Sequence, residues 1–97
     1  MTETILNTIC NHYKVTREEI AIKNGRRQKM HIVAVKQVAS YLLWRYTKLT
    51  GTEIAKLLGY PGKQNVNASK RSIKKISEGN HAFKTELELL EKSILRD

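Results

Sequence analysis

Residues 50–75 run TGTEIAKLLGYPGKQNVNASKRSIKK, and this stretch decides the architecture. Thr50 with Glu53 three positions on is a capping box, the signature of a helix start. Ile54, Leu57 and Leu58 then make the buried edge of a helix about two turns long. Gly59 suits the residue past a helix, where positive φ is common. Pro61 lacks an amide hydrogen and fits a turn or a first helical position. A second helix follows from about residues 61–63 to Glu78, where Gly79-Asn80 breaks the pattern. Helix, tight turn and polar second helix are the pattern of a helix-turn-helix over residues 50–78, whose second helix can lie in the major groove of DNA.

At 100° per residue the second helix has two unlike sides. Val66, Ser69, Ile73 and Ile76 fall on one, and Val66, Ile73 and Ile76 are expected to anchor it. Gln64, Asn67, Ala68, Arg71 and Lys75 project from the other. Lys63 and Lys74 flank that outer face, with Asn65 toward the boundary. Asn and Gln can pair with adenine, Arg and Lys with guanine or phosphate, and Ala with a thymine methyl. The helix N-terminus also offers unpaired amides to phosphate. A solvated polar face explains any single one of these residues. It explains the set less well, because no acid occurs from Lys63 to Ser77.

The surrounding composition agrees. Between Ile20 and Ser77 there are thirteen Lys or Arg and one acid, Glu53, so the middle carries +12 and the flanks −3 of a net +9. Uniform solubilising charge does not segregate this way; a polyanion-binding face does. Arg26, Arg27 and Lys29 add to it in a loop opened by Asn24-Gly25. Ninety-seven residues make one domain, 1–97. Cys10 is the sole cysteine and sits on an apolar stripe, so it reads as core, in a reducing compartment. With no signal-peptide pattern and no apolar run of about 18 residues, the expected location is the cytoplasm, with no membrane partner.

Elsewhere the periodicity is helical throughout. Ile5, Leu6, Ile9, Cys10 and Tyr13 share a face over Thr2 to Tyr13. Thr16 and Glu19 form another capping box, opening a short helix that ends near Ile22. The longest apolar-periodic stretch, from about His31 to Lys48, is the expected central helix, carrying Ile32, Val35, Val38, Ala39, Leu42, Leu43 and Tyr46. Trp44 falls off that stripe and reads as a half-buried packing residue. A last helix, His81 to Arg96, buries Phe83, Leu87, Leu90 and Ile94 and turns Glu86, Glu88 and Glu91 outward. The fold class is all-α, with about six helices.

In this order the elements resemble the C-terminal DNA-binding domain of the bacterial chromosomal replication initiator DnaA. The likeness rests on Ile9 through Ile20, on Arg26-Arg27 in a basic loop, and on Lys36-Gln37-Val38-Ala39-Ser40-Tyr41-Leu42, similar to an Arg-Gln-x-Ala-x-Tyr-Leu stretch. Glu53-Ile54, Gly59 and the Val66 to Ile73 spacing also fit. The resemblance implies a Trp-repressor-like helical fold binding double-stranded DNA, with the recognition helix in the major groove and the basic loop in the minor groove. The family's Gly-Gly-Arg-Asp-His-Thr-Thr-Val is here Gly59-Tyr60-Pro61-Gly62-Lys63-Gln64-Asn65-Val66, so only its first Gly and its Val remain.

Other chemistry is thinly supported. His12, His31 and His81 have no ligand partners at metal spacing, so no metal is expected. No G-x-x-x-x-G-K-[ST] loop occurs, so neither nucleotide nor other cofactor is expected, and no nucleophile–base set suggests an enzyme. The expected function is that of a free-standing double-stranded DNA-binding module acting in replication initiation or its regulation. Its DNA contacts are expected at Lys63, Gln64, Asn65, Asn67, Arg71, Lys74 and Lys75, with Arg26, Arg27 and Lys29 on backbone or minor groove. The alternative is a module that keeps the fold and regulates a replication or transcription partner by binding protein.

Overall fold

The computed structural model describes residues 1–21 and 30–95. Among them are six helices and no strand: α1 (Thr2–Tyr13), α2 (Arg17–Ala21), α3 (Met30–Tyr46), α4 (Gly51–Leu57), α5 (Lys63–Gly79) and α6 (His81–Leu95). Arg26, Arg27 and Lys29, expected in a DNA-contacting loop, lie outside the described residues.

Apolar spacing places α3 at the centre. Ile32, Val35, Val38, Ala39, Leu42 and Leu43 are buried on it, and α1, α2, α4 and α5 all pack against it. Ile5, Leu6 and Ile9 enter this core from α1, Ile20 from α2, and Ile54 and Leu58 from α4 and its end. Leu87, Leu90 and Ile94 of α6 close it against α1 and α5, while Phe83 is half-buried at its edge. Cys10 is buried, and burial pushes its thiol pKa up, as befits a core residue.

Both capping boxes form. Thr16 N–H donates to Glu19 Oε1 at 3.0 Å and Glu19 N–H to Thr16 Oγ1 at 3.1 Å. At α4 the matching distances are 3.0 Å from Thr50 N–H to Glu53 Oε1 and 3.2 Å from Glu53 N–H to Thr50 Oγ1. α3 stops at Tyr46, short of Lys48, because the Thr47 hydroxyl donates back to the Leu43 carbonyl and accepts the Leu49 amide at 3.2 Å. That side chain offers the backbone a way out of the helix. Asn80 does more than end α5: its Oδ1 accepts the Phe83 amide at 3.1 Å and so caps α6.

Two expectations need correction. Ile76 does not anchor α5; it is 40% exposed. The buried line runs through Val66, Ser69 and Ile73, and Ile76, a further 300° round, drops onto one flank. Nor do all the acids of α6 face outward. Glu91 is only 15% exposed, accepts a hydrogen bond from the Tyr46 hydroxyl and lies 3.7 Å from Arg45 Nε. Glu86 is engaged too, its Oε1 2.8 Å from His12 Nε2.

Candidate nucleic-acid interface

The site begins with the turn that sets α5 at its angle to α4. After Leu58, Gly59 adopts φ 69° and the Tyr60 amide bonds back to the Ala55 carbonyl at 2.9 Å. A left-handed residue here is cheap only as glycine. The first residues of the two helices nearly touch: a Cβ on Gly51 would stand 3.1 Å from Lys63 Cβ. Tyr60 then fastens the turn. Its hydroxyl lies 3.2 Å from Ser69 Oγ, which itself donates to the Asn65 carbonyl at 2.8 Å, so Tyr60 is the donor to Ser69. Burial raises the Tyr60 pKa, against the opposing pull of the Ser69 and Ser40 hydroxyls.

Beneath the turn lies Lys36, fully buried on α3, with its ammonium 5.4 Å from the Tyr60 ring centroid. Burial lowers its pKa. Lys36 and Tyr60 support the motif from within, and neither stood out as a site residue in the sequence. The usable signal was spacing: Lys36 sits four residues after Ile32 and seven before Leu43, on the buried stripe.

On this support the outward face of α5 is laid out as its periodicity requires. Gln64, Asn67, Ala68, Arg71 and Lys75 are exposed along it, Lys63 and Lys74 are exposed on one flank of it, and Asn65 is half-buried at the opposite boundary. Val66, Ser69 and Ile73 hold the opposite side in the core. Gly62 is the N-cap and provides no side-chain cap, so the first amides of α5 are left to other partners, apart from Asn65 N–H, which reaches the Gly62 carbonyl at 3.2 Å. The structure thus brings seven exposed polar, basic or small side chains onto this face and its flank without an acid among them. Among the described residues, no three His, Cys, Asp or Glu converge as a metal site, and no helix is long and apolar enough to cross a membrane.

The fold and this face define the class: an all-helical helix-turn-helix domain whose second helix presents a basic, amide-bearing surface. The family model of the bacterial dnaA protein helix-turn-helix matches residues 2–77. The chain belongs to that family. It is similar to the chromosomal replication initiator protein DnaA of Bacteroides fragilis, 27% identical over 89 residues, and to that of Bacteroides thetaiotaomicron, 26% identical over 89 residues. Each match covers 92% of this chain and 18% of the relative's length.

Proposed function

We propose that this domain binds double-stranded DNA, with α5 in the major groove, and serves replication initiation or its regulation. One observation carries the reading: the exposed face of α5 has no acid from Lys63 to Ser77, while the opposite side is locked into the core. A helix with its side chains is about 10–12 Å across and the major groove about 12 Å wide, so such a face can enter it. Gln64, Asn65 and Asn67 are the candidate base readers. Lys63, Arg71, Lys74 and Lys75 reach guanine or phosphate, and Arg26, Arg27 and Lys29 supply further backbone or minor-groove charge. The family relationship supports this assignment, and the replaced residues from Tyr60 to Asn65 point to a target of the chain's own.

Selection from a random duplex library tests binding and yields the site together. With five phosphate contacts, log Kd against log salt has a slope of magnitude near ~4.5. Reversing charge at Lys63 and Arg71 together is expected to abolish specific binding, while helicity by circular dichroism stays unchanged. Salt-insensitive binding, or an unaltered Kd in that variant, sinks the proposal. The same replaced residues favour a second reading, a protein-binding regulator. A stable protein complex together with no shift of any duplex pool would establish it instead.

A further inference from the structure

The recognition face does not account for every exposed group around α5. Trp44 on α3 is 49% exposed, and Lys70 on α5 holds its Nζ 4.5 Å from the centre of that ring. Tyr41, one turn back on α3, sets its ring 6.0 Å from Trp44 at 48° and accepts a hydrogen bond from Arg45 at 2.8 Å. An ammonium over an indole is an attractive contact, and it restrains a lysine that would otherwise sample many rotamers. Indole also brings one N–H donor and no acceptor, which suits it to an anion.

Position makes the pair informative. Lys63, Lys70 and Lys74 follow at seven and four residues, so they share one flank of α5, about a quarter-turn from the outer face. The other flank carries Asn65, Ser72 and Ile76, without a cation. A helix that nearly fills the groove meets a sugar-phosphate wall on each side. Only one flank here is built for such a wall, and α3 widens it with Trp44.

We propose that Trp44 and Lys70 form a clasp for one DNA strand beside the major groove. Lys70 pairs with a phosphodiester, and the indole packs on the adjoining deoxyribose and donates Nε1–H to a phosphate oxygen. The clasp rests on the DNA-binding reading of α5 and extends it from base contact to choice of strand. Contacts of this class fix register and orientation and carry no base code. It therefore strengthens binding to any duplex by the same factor.

Trp44 is the sole tryptophan, so its fluorescence reports this spot. The full chain is titrated with a short random-sequence duplex. Anisotropy of a labelled duplex measures binding, and acrylamide quenching measures access to Trp44. Saturation is expected to shield Trp44 from acrylamide. Trp44→Phe and Lys70→Gln are each expected to raise Kd about three- to tenfold, as loss of one hydrogen bond or ion contact does. Lys70→Gln also lowers the salt slope by about one, and Trp44→Phe leaves it unchanged. Trp44→Phe keeps an aromatic ring in place, and circular dichroism verifies its fold. If the duplex binds while acrylamide access is unchanged, or while both variants stay within twofold of the parent, the clasp is wrong and the α5 reading stands. If no duplex binds, both fall together.

Discussion

Lys14 ends α1 at φ 59° and ψ 45°, a left-handed conformation that costs a residue with a Cβ roughly 1–2 kcal/mol. The turn is worth keeping because the Val15 amide then closes back on the Cys10 carbonyl at 3.1 Å. Lys14→Gly removes the strain and loosens the unfolded chain, so a net gain of about 0.5–1 kcal/mol is expected in urea unfolding. Tyr60 gives the opposite sign. Tyr60→Phe keeps the ring over Lys36 but removes the donor to Ser69, costing about 1 kcal/mol by the same measurement. These residues mark where sequence stops informing. Cys10 and Val66 could be placed from their own helix's period. Tyr60 could not, because its value lies in Ser69 and Lys36, on other elements. Glu91 was misplaced for the same reason: its partner Tyr46 is 45 residues away.

At the scale of elements, punctuation was the most legible layer. The boxes at Thr16 and Thr50 and the glycine at 59 act within four residues, so local sequence contains their whole mechanism. Ile76 shows the limit: periodicity sets which residues share a face, but the neighbouring helices decide how wide a face is covered. Thr50→Ala is expected to cost about 1 kcal/mol in thermal or urea unfolding, by freeing the first turn of α4. A pH signature should accompany it. The Thr50 amide, and next its hydroxyl, hold Glu53 below the ordinary carboxylate pKa. A depressed folded pKa gives stability that is present above the unfolded value, near 4.5, and is lost as pH falls through the folded one. Thr50→Ala removes only the hydroxyl and keeps the amide, so it should flatten the acid limb of a stability–pH curve in part, whereas Glu53→Gln, which removes the carboxylate itself, should flatten it fully. An equally steep limb in both variants would assign that limb to other carboxylates, such as Glu3, which Arg17 holds low at 2.6 Å.

Across the whole molecule, charge acts on fold and function with opposite signs. The basic centre repels itself at low ionic strength, so raising salt from about 20 to 200 mM should raise the melting temperature through screening. The same change should weaken duplex binding steeply. Measured side by side, the two trends separate screening from damage to the fold. A melting temperature that falls with salt would mean that ion pairs such as Arg17–Glu3 outweigh the repulsion.

Asn80 has a mechanical consequence at this same scale. One residue closes α5 and opens α6, leaving no slack between them. α6 is in turn pressed on α1, with Glu86 against His12. α5 is therefore one arm of a braced frame, tied at its end to α6 and through α6 to α1. If the proposed docking holds, a duplex would meet a prearranged surface on which only side chains remain to be ordered, and binding would forgo the entropy loss that folding a loose helix on its target imposes.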